Sequence, residues 1–156
     1  MTEKNVLAFD LGASSGRGML ASFDGKKINL KEIHRFPHNF SVLNGHAYWN
    51  ILSLMDEMKK GLSLCKSEIS GVGFDTWGVD CGFLSKEGEL LGIPGSYRDS
   101  ALDDQNMKEA LELLGGEEKA FAHTGIGSLA YNTIYKIYYM QKTMPSLMES
   151  ADKMLL

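Results

Sequence analysis

Long hydrophobic runs, clustered basic residues and paired cysteines are all missing from this sequence. No apolar stretch approaches the length of a membrane-spanning helix, and the opening MTEKNV is polar and charged, unlike a secretory leader. With 16 Lys and Arg against 20 Asp and Glu, the formal net charge is −4, and no basic strip stands out. A general nucleic-acid or anionic-membrane surface needs such a strip, so any bound polyanion has to be held by local donors. Cys65 and Cys81 lie far apart and make no CxxC motif, and His34, His38, His46 and His123 share no ligand spacing. A zinc site is disfavoured, and both cysteines read as buried free thiols in a reducing, cytoplasmic setting. The sequence has no internal repeat, low-complexity tract or linker, so residues 1–156 read as one domain.

What is there alternates between strand and helix signals. The run NVLAFDLG, closed by Asp10 and Gly12, suits a buried central strand. GRGMLASFDGKKINLKEIHRF reads as two strands joined at Asp24-Gly25. FPHNFSVLNGHAYW reads as a loop; Asn50 then caps a helix with apolar positions Ile51, Met55, Met58, Leu62 and Cys65. EISGVGFDTWGVD returns to strand character, and CGFLSKEGELLGI reads as a hairpin turning at Lys86-Glu87-Gly88. The first part therefore runs strand, strand, strand, helix, strand. After Ser100 come helices: LDDQNMKEALELLGG, a short one at EEKAFAHT, TIYKIYYMQKTM capped by Asn132, and PSLMESADK. The closing MLL begins an apolar run where a further strand is expected.

The stretch FDLGASSGRGML has phosphate-loop composition but fits neither common pattern. Gly16 is followed by Arg17 and Gly18 rather than Lys and Ser or Thr, and the glycine order opens a strand rather than a helix. A strand-turn-strand loop can still hold phosphate. Gly12 and Gly16 permit close approach, the amides of Ala13 to Gly16 can converge, Ser14 and Ser15 add hydroxyls, and Arg17 adds a forked charge. Asp10, at the end of the preceding strand, can hold a hydrated Mg²⁺ against the same phosphates. A plain Gly/Ser hairpin with a structural Asp10 fits the composition equally well. In GFDTWGVD, Asp75 ends a strand, and if that strand lies beside the first, Asp10 and Asp75 meet at one sheet edge. Trp77 can stack on the apolar face of a sugar, Gly78 leaves room for one, and Asp80 follows. A capped turn with a buried Trp is the competing reading. In YRDS, Arg98 either pairs with a carboxylate near the site or forms a rim salt bridge.

AFDLGASSGRGML, EIHRF, GFDTWGVD, YRDS and TGI…YNTIY, in this order and spacing, resemble the N-terminal part of the rhamnulokinase family of FGGY carbohydrate kinases. That family lies in the sugar kinase–actin superfamily, and the resemblance covers nearly the whole chain. It implies an α/β, ribonuclease H-like domain with a mixed central sheet and helices following. The implied reaction is ATP-dependent, Mg²⁺-assisted phosphorylation of L-rhamnulose to L-rhamnulose 1-phosphate. Carried over by position, Ala13, Ser14, Ser15, Gly16 and Arg17 become the ATP-phosphate loop and Asp10 the metal-side carboxylate. Gly78 falls where the family contacts the sugar, with Thr76, Trp77 and Asp80 as neighbouring candidates. Family members are much longer and carry a second such domain, which holds the catalytic base. The resemblance therefore implies an incomplete N-terminal domain, inactive alone, against which a C-terminal domain packs. Three other readings compete. One is a ribonuclease H-like nuclease using Asp10, Glu57 and Asp75 with two metals. Another is a stand-alone sugar- or nucleotide-binding module, and the third is a family kinase acting on another ketose or deoxysugar.

Overall fold

The computed structural model describes residues 4–156. In chain order its strands are β1 (Lys4–Leu11), β2 (Ser15–Phe23), β3 (Ile28–Pro37), β4 (Phe40–Leu43), β5 (His46–Trp49), β6 (Gly71–Asp75), β7 (Gly82–Leu84) and β8 (Lys153–Leu155). The helices are α1 (Ile51–Leu64), α2 (Asp104–Leu114), α3 (Glu117–Thr124), α4 (Thr133–Thr143) and α5 (Pro145–Ser150). The chain divides into two compact units. The first contains the residues up to Asn39 together with Asn50–Gly78, the second Phe40–Trp49 together with Val79–Leu156.

The first unit is a four-stranded mixed sheet in the order β3-β2-β1-β6, with α1 against it. β1, β2 and β3 are successively antiparallel and β6 runs parallel to β1, as the strand-strand-strand-helix-strand reading requires. The β2–β3 turn forms where Asp24-Gly25 predicts it. The Asp24 carboxylate accepts from the amides of Lys26 and Lys27, both at 2.8 Å, and Gly25 takes φ 100°. These bonds, that from Lys27 foremost, hold the Asp24 carboxyl below its usual range. Leu7, Phe9, Leu20 and Phe36 make the core on the helix side. Asn50 caps α1 as expected, accepting from the Ser53 amide at 3.1 Å.

The face that α1 turns inward differs from the stripe read in the sequence. Leu54 and Gly61 are buried, while Met55 and Leu62 are exposed. Close packing on the Phe9 ring decides this. A Cβ at Gly61 would lie 2.8 Å from Phe9 Cε1, and one at Gly18 on β2 would lie 3.1 Å from the same atom. The helix therefore presents its smallest residue to the sheet, which a hydrophobicity count cannot register.

In the second unit, the segment read as a loop is a hairpin of β4 and β5. Asn44 and Gly45 both take positive φ, 52° and 83°, the pairing a two-residue type I′ turn needs. The Asn-Gly that suggested a loop is thus the turn of a hairpin, and its second strand buries Ala47 and Trp49 alternately. β7 pairs with β8, so the closing apolar run does form a strand. The turn at residues 86–88 is present, with the Gly88 amide bonded to Ser85 O at 3.0 Å, but its second arm is a single bridge from Leu84 to Leu90. Asp103 caps α2, accepting from the Asn106 amide at 2.8 Å, and Gly115 ends it at φ 84°. Asn132 stands at the N-cap of α4 but does not cap it. Its side chain instead donates to Gly127 O at 2.9 Å.

Gly61→Val should force branched carbons into the immobile Phe9 ring and lower unfolding stability by about 1–3 kcal/mol. The change is read from the denaturant midpoint, and an unchanged midpoint would mean that the Phe9 contact is not rigid.

Candidate functional site

The parallel register places Asp10 opposite Asp75, so the carboxylates sit side by side at the carboxyl ends of neighbouring strands. This is the juxtaposition expected if the two strands were adjacent. On its other side Asp10 faces Arg17 of β2, whose Nε lies 3.1 Å from Asp10 Oδ2. That is an ion pair by distance only, because the Nε–H finds no acceptor with hydrogen-bond geometry. Arg17 in turn lies opposite Arg35 of β3. Arg35 grips Glu32, with Nη2–Oε2 at 2.5 Å, and these hydrogen bonds hold the Glu32 carboxyl below the usual range. The polar face of the sheet thus carries two guanidinium groups beside carboxylates, a local rather than a global concentration of charge.

Only Gly12, Ala13 and Ser14 separate β1 from β2. Two carbonyls of this turn are held. The Trp77 indole N–H donates to Gly12 O at 3.2 Å, and the His38 amide donates to Ser14 O at 3.3 Å. Gly12 N closes the turn on Ser15 O at 3.0 Å. Among the described residues, the amides of Ala13 and Ser14 take part in no backbone hydrogen bond, and both residues are exposed. Ser15 and Arg17 are half-buried. Gly16 is buried under the Phe36 ring, where a Cβ would meet Cζ at 2.3 Å, so packing alone demands glycine there.

Of the sugar-side candidates, Thr76 and Gly78 are exposed, and a Cβ on Gly78 would meet nothing within 4 Å. Trp77 is half-buried, bonded to the turn and edge-on to His38, with ring centroids 5.3 Å apart. Asp80 belongs to the second unit, where it is 8% exposed. Its carboxylate accepts from Trp49 Nε1 at 2.5 Å and pairs with the buried Lys136, whose ammonium also donates to Gly95 O at 3.1 Å. Neither Trp49 nor Lys136 stood out in the sequence. The available signal was a lysine among the apolar positions of a Tyr-rich helix. Among the described residues Arg98 forms neither of the pairs expected of it. Its guanidinium lies over the Tyr97 ring, 5.5 Å from the centroid, and its neighbour Asp99 pairs with His46 at 3.1 Å.

Cys81 is buried, and burial pushes its thiol upward despite the opposing charge of Lys136. It lines a cavity of about 150 Å³ in the second unit with Phe83, Leu91, Met140 and Leu147. Cys65, expected to be buried, is only half-buried, because it sits at the C-cap where α1 leaves the sheet. Glu57 is bound by His34 at 2.5 Å and approached by Lys60 at 3.8 Å. Among the described residues no three of His, Cys, Asp and Glu are grouped to hold a metal ion, so Asp10, Glu57 and Asp75 make no three-acid set.

No family model matches the chain. Curated relatives do. The chain is 41% identical over 151 residues to a rhamnulokinase of Mannheimia succiniciproducens, covering 94% of this chain and 31% of that protein. A rhamnulokinase of Klebsiella pneumoniae is 38% identical, with 100% of this chain and 33% of that protein covered. Nearly end to end, the chain resembles part of rhamnulokinase. It spans about a third of the length of these rhamnulokinases. Among solved structures, a gluconate kinase of Lactobacillus acidophilus matches 99% of the chain with TM-score 0.78 at 16% identity. A xylulose kinase of the same organism matches 97% with TM-score 0.77 at 16% identity. The fold is therefore the α/β, ribonuclease H-like fold of sugar kinases, as the rhamnulokinase resemblance implied.

Two outcomes follow from this geometry. Lys136→Met should leave the Asp80 carboxylate buried without its cation and destabilise the chain by about 3–5 kcal/mol. Adding Asp80→Asn should recover part of that loss, measured by urea unfolding of the single and double variants. In native protein at pH 8, iodoacetamide should label Cys65 well before Cys81, as read by peptide mass spectrometry. Equal rates would contradict the burial of Cys81.

Proposed function

We propose that the chain is the N-terminal portion of an ATP-dependent, rhamnulokinase-like sugar kinase, working in the cytoplasm on L-rhamnulose. The observation that carries the reading is the β1–β2 turn. Among the described residues its Ala13 and Ser14 amides make no backbone hydrogen bond, Arg17 stands at its stem, and Asp10 and Asp75 are paired beside it. The 41% identity to a rhamnulokinase supports the choice of substrate.

In this reading the ATP phosphates lie on Ala13, Ser14, Ser15, Gly16 and Arg17. The residues fit Mg²⁺ of the phosphate-bound kind, which keeps most of its waters and takes one or two carboxylates, here Asp10 with Asp75 beside it. When bound, the ion neutralises charge on the transferring phosphoryl group. Asp10 would be the carboxylate that holds the hydrated ion, and Arg17, at 3.1 Å from it, would be the cation available to phosphate oxygens. Thr76, Trp77 and Gly78 form the sugar-side segment, with Asp80 further along the chain.

The sugar hydroxyl oxygen bonds to the γ-phosphorus as the bond from phosphorus to the β–γ bridging oxygen breaks, giving ADP and L-rhamnulose 1-phosphate. The hydroxyl proton goes to a base, and no residue of this chain takes that role. The base, most of the adenine pocket and a C-terminal domain packing against this one come from the remainder of the longer protein. Catalysis of this kind is chiefly positioning and charge neutralisation, so the part present here binds without turnover.

With MgATP and L-rhamnulose, the 156-residue chain should release no ADP above background in a coupled assay. The same residues within a full-length kinase should release it, with Asp10→Ala lowering kcat by about a hundredfold or more. ADP release by the short chain that is lost on Asp10→Ala would overturn its incompleteness.

A further inference from the structure

We infer that Trp77 is a positioning residue that aims the phosphate-binding amide of Ala13 by holding the carbonyl of Gly12. The inference deepens the reading of the β1–β2 turn as a phosphate loop and rests on it. A trans peptide is planar, with its C=O and N–H pointing in opposite directions. The Gly12–Ala13 peptide is held at one end by the Trp77 indole N–H, at 3.2 Å from Gly12 O. Fixing that oxygen fixes the Ala13 N–H to the opposite side of the turn, where among the described residues it takes part in no backbone hydrogen bond.

The clamp is needed because of the residue it acts on. Gly12 has no side chain to restrict its ψ, so an unheld Gly12–Ala13 peptide is free to rotate. The turn is also tied at its two ends, by Gly12 N to Ser15 O at 3.0 Å and by the His38 amide to Ser14 O at 3.3 Å. The peptide between Gly12 and Ala13 is held by a side chain, which comes from the segment after β6 that also carries Thr76 and Gly78. The ring is steadied in turn by edge contact with His38, whose backbone holds Ser14. Anything that moves the sugar-side segment therefore reaches a phosphate-loop donor through one hydrogen bond.

The test uses Trp77→Phe, which retains an aromatic ring and removes the indole donor. Tripolyphosphate, free of sugar and adenine, is titrated into ¹⁵N-labelled wild-type and variant chains. In wild type, the Ala13 amide and the Trp77 indole signal should both shift on titration, the Trp49 indole staying still. In Trp77→Phe, the dissociation constant should rise about tenfold, the worth of one well-placed hydrogen bond. The free variant should show exchange broadening at Ala13, with amide shifts outside residues 11–16 and around residue 77 unchanged. Wild-type affinity with a sharp, normally shifting Ala13 amide in the variant would overturn the inference while leaving the phosphate-loop reading intact. If wild type itself takes up no tripolyphosphate, that reading fails, and this inference with it.

Discussion

The first unit depends on the space around one ring. Phe9 is 1% exposed, and its edge fits only because Gly18 on the neighbouring strand and Gly61 on α1 lack a Cβ. Those two absences let the helix approach the sheet closely enough to cover Leu7, Phe9 and Leu20. The next residue along β1 is Asp10, which the strand's alternation turns to the other face. Packing on one face thus fixes the position of the carboxylate on the other. Phe74 of β6 stacks on Phe9 at 5.8 Å, which helps to set the same register that pairs Asp10 with Asp75.

Much of this was legible in the sequence because it is local. The Asp24-Gly25 turn, the Asn50 cap, the Gly115 stop and the short helix at residues 117–124 each rest on contacts within a few residues. The adjacency of Asp10 and Asp75 follows from the sequence only on the condition that β6 lies beside β1, a matter of topology that the parallel pairing supplies. The features that escaped are those in which a residue's partner is distant or its role is to be small. Gly61 scores as nothing in an apolar count, yet it selects the inward face of α1. Asn44-Gly45 was visible as a turn signal, but the strands on either side are only four residues long, too short to show alternation convincingly.

The candidate site was legible as an inventory more than as an arrangement. Ala13 to Arg17 and Asp10 lie around one turn, and their contiguity in sequence made that foreseeable. Their partners were not foreseeable. Arg17 faces Asp10, Trp77 donates to Gly12 across 65 residues, and Asp80 meets a lysine 56 residues later. A buried lysine on an otherwise apolar helix face is the sort of residue that only tertiary structure explains, because its cost is offset by a counter-ion elsewhere. Trp77 and Asp80 are close in sequence but serve separate cores, the first steadying the turn and the second anchoring Trp49 and Lys136.

The β4–β5 hairpin bears on the order in which the protein matures. Its ten residues, Phe40–Trp49, lie in the chain between two segments of the first unit but belong to the second. As the polypeptide leaves the ribosome, the first unit has all its strands once Asp75 has emerged. Trp49 by then has been made for some time, yet its acceptor Asp80 is only just arriving, and Lys136 comes much later. For that interval a large aromatic side chain waits without its acceptor, although the first unit already has all its strands. Trp49 thus precedes its acceptor in synthesis, and the rate of chain growth sets how long the interval lasts.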